Sequence, residues 1–381
     1  MKFLHSSDWH LGRQLHNHSL LDDQRLVLKQ LVDMAEQHQV DAVIIAGDIY
    51  DRSIPPANAV SLLNEVVNQL VCDLAIPVIM IAGNHDSHER LGFASQQMTA
   101  SGLHIVGPLL PQLKPITLRG RSGDAIFYGL PYADPATVRD VFEQPVSSHE
   151  QAMALLLEQV KAHDSRGLPK VVISHCFLDG GSESDSERPL SIGGADKISP
   201  ALFSDFNYVA LGHLHGPQYK GAEHIRYSGS ILKYSFSEQH QHKSVTLVEL
   251  DTEGKARVEL LPLKAKRDVR ILEGELSALL EQGKTDLHRD DYLMIRLVDK
   301  QAILDAMGKL RAVYPNVLHL ERSGLMAQSA DLIPARDQIK KGELAMFSDF
   351  FEQVSGLEMS EQQRAFLEQT LDEIRRDEQN A

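Results

Sequence analysis

Val40-Asp41-Ala42-Val43-Ile44-Ile45-Ala46-Gly47-Asp48 is an apolar run that halts on a glycine and a carboxylate. A short continuous run of this kind reads as a strand buried on both faces. The chain repeats the device on either side. Lys2 to His5 is a short β-prone run followed by Asp8 and His10, and Pro77-Val78-Ile79-Met80-Ile81-Ala82 runs into Gly83-Asn84-His85-Asp86. Helix-like patterns lie between. Ser19, with Asp22 three residues on, predicts a helix start, and Val27, Leu31, Met34 and Ala35 fall on one helical face. Pro56 to Val71 predicts a second helix. This β-α-β-α-β order predicts a largely parallel, layered α/β core.

Further along, Lys170-Val171-Val172-Ile173-Ser174-His175 and Tyr208-Val209-Ala210-Leu211-Gly212-His213-Leu214-His215 repeat the strand-then-polar arrangement. Antiparallel β is expected from Ile225 to Leu263, with a turn at Tyr227-Ser228-Gly229-Ser230 and a strand from Ser244 to Leu250. The composition shifts at Lys264-Ala265-Lys266-Arg267, which ends a first domain over 1–264. Residues 268–322 read as a small separate β-α-β-α-β domain, and 323–340 as a linker. Residues 341–381 read as a helical tail. Leu344, Phe347, Phe351 and Val354 share one helical face with Phe350 alongside, and Ser360-Glu361-Gln362-Gln363 is a capping box opening a helix with Leu367, Leu371 and Ile374. Two such short helices cannot bury their stripes on each other alone.

The whole is 381 residues, enough for two or three domains of roughly 150 each. Hydrophobic residues make up 43%, enough for a sizeable core. Two cysteines, Cys72 and Cys176, argue against a disulfide framework and for a reducing compartment. No signal-peptide pattern and no run of 18 apolar residues is present, so a cytoplasmic chain with no membrane span is expected. The formal net charge of −15 argues against gripping nucleic acid by bulk charge. The tail from Lys341 to Ala381 carries 4 basic and 10 acidic residues, so it supplies much of that excess.

Five clusters each follow a strand: Asp8-x-His10, Gly47-Asp48-x-x-Asp51, Gly83-Asn84-His85-Asp86, Ser174-His175 and Gly212-His213-x-His215. That is the position where layered α/β folds place their sites. Taken singly, each reads as well as a turn or an exposed loop. Together they hold the inventory that two divalent cations about 3.5–4 Å apart need. Asp48 is the natural bridge. Asp8, His10 and His215 complete one metal, and Asn84, His175 and His213 the other. Asp8 and His10, two apart in an extended segment, would point to one side. His213 and His215 would serve different metals, which requires a turn there. A neutral Asn and no Cys point away from structural zinc and towards harder ions such as manganese or iron. Cys176 beside His175 makes a poor nucleophile pair, because adjacent strand residues face opposite ways. The other histidines lack such context.

This ordered set resembles the calcineurin-like metallophosphoesterase superfamily. Ser7-Asp8-Trp9-His10-Leu11-Gly12, Gly47-Asp48-Ile49-Tyr50-Asp51 with Pro55-Pro56, and Gly83-Asn84-His85-Asp86-Ser87 resemble its DNA-nuclease branch, as do Ser184-Asp185-Ser186-Glu187-Arg188-Pro189 with Ile192-Gly193-Gly194 and Tyr227-Ser228-Gly229-Ser230 with Ser235-Phe236-Ser237-Glu238. The resemblance implies a core of two β-sheets flanked by helices, a small α/β capping domain and a C-terminal helical tail. It implies that His85 stabilises the pentacovalent phosphorus and protonates the leaving oxygen, that Asp86 orients His85, and that Asp51 supports a ligand or a water. It further implies two divalent ions, Mn2+ by preference, with 3′–5′ exonuclease action on duplex ends and endonuclease action on single strands or hairpins. The implied partners are a large coiled-coil ATPase, docked on the tail, DNA, and a second copy of the chain within a heterotetramer. A small-molecule or cyclic-nucleotide phosphodiesterase, and a subunit that holds DNA without cutting it, remain open alternatives.

Overall fold

A computed structural model describes residues 1–190, 196–301, 303–322, 344, 347, 348, 351 and 359–379. Contacts divide the chain into two units, Met1–Arg270 and Ile271–Ala381. The first unit contains strands β1 (Lys2–Ser6), β2 (Ala42–Ile45), β3 (Val78–Ile81), β4 (Leu103–Val106), β5 (Ile116–Leu118), β6 (Ala125–Leu130), β7 (Lys170–His175), β8 (Tyr208–Gly212), β9 (Gln218–Lys220), β10 (Ala222–Tyr227), β11 (Ser244–Leu250) and β12 (Ala256–Pro262). Its longer helices are α1 (Leu21–Gln37), α2 (Ala57–Asn68), α3 (Pro135–Phe142) and α4 (His149–Ala162).

The strands form two six-stranded sheets, in the orders β12-β11-β1-β2-β3-β4 and β9-β10-β8-β7-β6-β5. The sheets pack face to face. Phe3, Ala42, Ile44, Ala46, Ile79 and Ile81 meet Phe127, Val171, Ile173, Tyr208 and Ala210 in one buried core, with the Phe3 ring edge-on to Phe127 at 5.5 Å and to Tyr208 at 5.6 Å. On the outer side of the second sheet, α3 and α4 cover Tyr128, Val172, Val209 and Leu211 with Val138, Met153, Leu156 and Val160. The central strands are buried along their whole length, which explains why they read as unbroken apolar runs. Parallel pairing of β1 with β2, β2 with β3, and β7 with β8 aligns their carboxyl ends.

Three local expectations change. His18–Ser19 pairs with Gln14–Leu15 as a small ribbon, so α1 begins at Leu21 and its N-cap, Leu20, has no side-chain bond. The second helix closes in a π-turn over Gln69–Asp73. The turn at Tyr227–Ser230 does not reverse a hairpin. It carries the chain from one sheet to the other; β10 runs parallel to β8, and the antiparallel pairs of this stretch are β9–β10, β11–β12 and β1–β11.

The second unit begins within β13 (Val269–Gly274) and contains α5 (Leu276–Thr285), β14 (Tyr292–Leu297), α6 (Ala306–Arg311), β15 (Val317–Arg322) and α7 (Glu361–Gln379). Leu276, Leu279, Leu293, Ile295, Leu310 and Val317 make its core. The Ser360–Gln363 box forms: Gln363 N–H donates to Ser360 Oγ at 3.3 Å, and Gln363 Oε1 accepts from Ser360 N–H at 3.0 Å. Leu344, Phe347 and Phe351 are helical positions, and Phe351 and Leu367 line one apolar groove with Phe347, Phe366 and Met359. Leu371 lies on α7 and is half-buried. Phe350, Val354, the 323–340 linker and Ile192-Gly193-Gly194 lie outside the described residues.

Candidate metal centre

The carboxyl ends of β1, β2, β3, β7 and β8 deliver the five clusters to one place. The delivery is by left-handed turns rather than by strand alternation. Asp8, His10, Asp48 and His213 have φ of 51°, 43°, 50° and 110°. Asp8 and His10 therefore share a side because β1 ends at Ser6 and the chain coils back, not because they are two apart in an extended segment. Left-handed backbone costs a non-glycine residue about 1–2 kcal/mol and persists only where the surroundings force it. Here Asp8 N–H donates to the Gly47 carbonyl at 3.1 Å, and His10 N–H to the Asp48 carbonyl at 2.9 Å. Gln24 on α1 adds bonds from Nε2 to the Trp9 and His10 carbonyls at 3.0 and 2.8 Å, and Tyr234 Oη donates to the Trp9 carbonyl.

The donor atoms converge. Asp48 Oδ2 lies 3.5 Å from His10 Nε2 and 3.5 Å from His175 Nε2. His10 Nε2 lies 3.1 Å from His215 Nε2, and Asn84 Oδ1 lies 2.9 Å from His175 Nε2. Three close groups of donors result: Asp8, His10 and His215; Asp8, Asp48 and His175; and His10, Asp51 and His85. The His213 ring lies edge-on to His175 at 5.5 Å, while its main-chain N–H donates to Asp8 at 3.0 Å. All of these except Asn84, Asp51 and His85 are buried.

Three glycines make the approach possible. A Cβ on Gly83 would stand 2.1 Å from Asp48 Oδ1, one on Gly47 2.4 Å from His175 Nδ1, and one on Gly212 2.0 Å from the Ala46 carbonyl. The clearance serves the ligand side chains and their backbone.

Asp86 does something other than expected. Its carboxylate accepts the main-chain N–H groups of Ile49, Tyr50 and Gly83 at 3.1, 2.9 and 2.9 Å, clamping the β2 turn to the β3 turn. The partner that orients His85 is the Asp51 carbonyl, 2.9 Å from Nδ1, while Nε2 faces Asp48 at 4.0 Å. The Asp51 carboxylate accepts from Arg13 at 2.9 Å and stands 3.8 Å from His10 Nδ1.

Electrostatics leave the cluster short of positive charge. Burial, reinforced by Asp48, pushes Asp8 well above the usual carboxylate range and Asp86 up to about 7. Burial, reinforced by the other imidazoles, holds His10 and His213 well below the ordinary value, and burial also lowers His175. Neutral imidazoles offer lone pairs, and desolvated carboxylates seek a counter-charge; divalent cations satisfy both. His10 Nδ1 is buried without a hydrogen-bond partner. Burial pushes the Cys176 thiol up to about 12, so it is no nucleophile.

Several site residues escape sequence reading. Gln24 falls on the buried face of α1 with Val27, Leu28 and Leu31, and a polar residue within an apolar stripe was the available signal. Arg13, Tyr234 and Lys243 come from distant segments with no local pattern to mark them, and Glu238 lies in the Ser235–Glu238 stretch without a role being legible there.

Oxygen and imidazole donors at the strand ends of a two-sheet α/β layer define a centre for divalent cations, the class to which the phosphate-ester hydrolases of this architecture belong. The sequence matches the family described as Calcineurin-like phosphoesterase over residues 1–217 and, over residues 265–355, the family described as Type 5 capsule protein repressor C-terminal domain. The chain belongs to the calcineurin-like phosphoesterase family and is a metal-dependent phosphoesterase. It is 37% identical over 84% of its length to the D subunit of the nuclease SbcCD from Staphylococcus epidermidis, covering 85% of that protein. It is 36% identical over 84% of its length to the protein of the same name from Staphylococcus saprophyticus, again covering 84% of it. A dimetal phosphatase from Danio rerio is 12% identical with a TM-score of 0.40, over 70% of this chain and 99% of that one.

Proposed function

We propose that the chain is the nuclease subunit of a DNA end-processing complex, acting in repair and recombination with an SbcC-type coiled-coil ATPase. The observation that carries it is the position of Asp48 Oδ2, equidistant at 3.5 Å from an imidazole of each predicted ligand set. Asp8, His10 and His215 would hold one cation and Asn84, His175 and His213 the other, with Asp48 shared between the two sets. Mn2+ fits this oxygen and imidazole set. When bound, the two cations supply an activated water and neutralise charge on the phosphate for in-line attack.

The chain's own residues do the rest. His85 donates Nδ1–H to the Asp51 carbonyl, which turns Nε2 towards the cluster. From there Nε2–H stabilises the phosphoryl oxygens and protonates the leaving 3′ oxygen. Asp86 holds the two turns at fixed spacing. Arg13 ties the β1 turn to Asp51. The substrate class is DNA, cut 3′–5′ from duplex ends and endonucleolytically at hairpins or single strands. Residues 268–322 are the capping domain that the resemblance implies, and the tail, with Leu344, Phe347, Phe350, Phe351, Val354, Leu367 and Leu371, docks on the ATPase, two copies of each chain forming the heterotetramer. Among the described residues no helix is long and apolar enough to cross a membrane.

The test is cleavage of hairpin-ended DNA with Mn2+, with and without the ATPase, beside bis-p-nitrophenyl phosphate. Hairpin opening stimulated by the ATPase supports the reading. Turnover of the small diester with DNA left intact would assign the chain to the small-molecule phosphodiesterases.

A further inference from the structure

Two segments that the mechanism leaves without a role, Ser184-Asp185-Ser186-Glu187 and Ser235-Phe236-Ser237-Glu238, meet behind His215. The Ser186 hydroxyl lies 2.6 Å from His215 Nδ1 and donates to a carboxylate oxygen of Glu238. Lys243 Nζ donates to the other Glu238 oxygen at 2.6 Å, and to the His215 carbonyl and Ser230 Oγ at 2.8 Å each. Glu187 accepts the His215 main-chain N–H at 2.8 Å. Glu238 is 0% exposed and Lys243 7%. A buried ion pair is weak evidence for stability by itself, since an apolar pair packs such a place as well. Its position one hydroxyl away from His215 needs another account.

A hydroxyl has a single proton. The Ser186 proton is committed to Glu238, so Ser186 Oγ accepts from His215, and Nδ1 carries the ring hydrogen. Nε2 then presents a bare lone pair on the cluster side, 3.1 Å from His10 Nε2. The other imidazole of that group has no such support, because His10 Nδ1 is buried without a hydrogen-bond partner. In the second group, His175 Nδ1 is held by the Ala46 carbonyl at 2.9 Å.

We propose that Ser186, Glu238 and Lys243 form a positioning relay that fixes His215 as its Nδ1–H tautomer and aims Nε2 at a divalent cation between Asp8, His10 and His215. The inference rests on reading that cluster as a metal centre. Groups that orient a ligand through its far nitrogen change metal affinity by about 10–100-fold when removed.

The test is a calorimetric Mn2+ titration of the full-length chain, with thermal unfolding of the metal-free protein beside it. Wild type is expected to bind two ions. Ser186→Ala weakens one site about 10–100-fold and leaves the other, with metal-free unfolding unchanged. Ser186→Thr, which keeps the hydroxyl, restores that affinity. Glu238→Gln combined with Lys243→Met, which removes both charges together, weakens the same site. Wild-type affinity for both ions in Ser186→Ala and the double variant overturns the relay, as does a fall in both sites accompanied by a lower unfolding temperature. Asp48→Ala separates the two readings: two ions still bound tightly would overturn the metal centre itself, whereas lost ions in Asp48→Ala beside intact binding in Ser186→Ala would overturn the relay alone.

Discussion

Gly83 is glycine because Asp48 occupies the space its side chain would take: a Cβ there would stand 2.1 Å from Asp48 Oδ1 and 2.3 Å from the Asp48 nitrogen. The nitrogen is backbone and cannot swing away. Gly83→Ala is therefore expected to cost about 1–3 kcal/mol in urea unfolding, in the range of overpacking, and to lower Mn2+ affinity as Asp48 shifts. His85→Gln should do the opposite: metal content stays, and cleavage falls by about 10²–10⁴-fold, the usual share of a proton donor. Wild-type cleavage by a metal-loaded His85→Gln chain would remove His85 from the proposed acid role. The residues that converge at the centre were legible because each is a polar side chain ending an apolar run. Asp86 was legible as a site residue but not for its partners, since a carboxylate after His85 serves equally to orient it or to clamp neighbouring turns. Glu238 and Lys243 were not legible as site residues: the bonds that link them to His215 span 23 and 28 positions of sequence.

At the scale of elements, strand ends and turns carry the design. The apolar runs predicted β1, β2, β3, β7 and β8, and with them where the polar clusters sit. The left-handed turns at Asp8, His10 and Asp48 were hidden, because non-glycine residues rarely take that conformation and no pattern announces it. Ser19 misled for a related reason: a Ser before an apolar stripe marks a helix start, yet here it closes a ribbon with Gln14. The capping box at Ser360 was legible, since both of its reciprocal bonds are local. The groove lined by Phe347, Phe351, Phe366 and Leu367 is apolar, and Phe366 is 74% exposed. On the proposed docking role, Phe347→Ala with Phe351→Glu abolishes co-purification with the ATPase while leaving hydrolysis of bis-p-nitrophenyl phosphate unchanged. Undiminished co-purification would place the partner elsewhere.

At the scale of the molecule, two sheets pressed together leave little room for polar groups between them. His5 is one such group, bonded to Tyr208 Oη at 3.0 Å and the Leu211 carbonyl at 3.1 Å, and burial lowers it to about 3. The unfolded chain binds this proton near pH 6.5 and the folded chain does not until about pH 3. Stability is thus whole above pH 6.5 and lost as pH falls below it. Between pH 7 and pH 5 the wild type should lose about 2 kcal/mol more than His5→Gln in urea unfolding. Net charge works at the same scale. At −15, with two cations to offset Asp8 and Asp48, the chain on the proposed reading would cut DNA that its partner holds. The central claim is the proposal that Asp48 belongs to a divalent-cation centre that serves DNA cleavage. It is tested most directly by the rate at which the Mn2+-loaded complex with its ATPase opens hairpin-ended duplex, wild type against Asp48→Ala. The account predicts cleavage by the wild type that stops on chelation and is absent in Asp48→Ala. Cleavage by Asp48→Ala at the wild-type rate, or by the wild type in excess chelator, would contradict it.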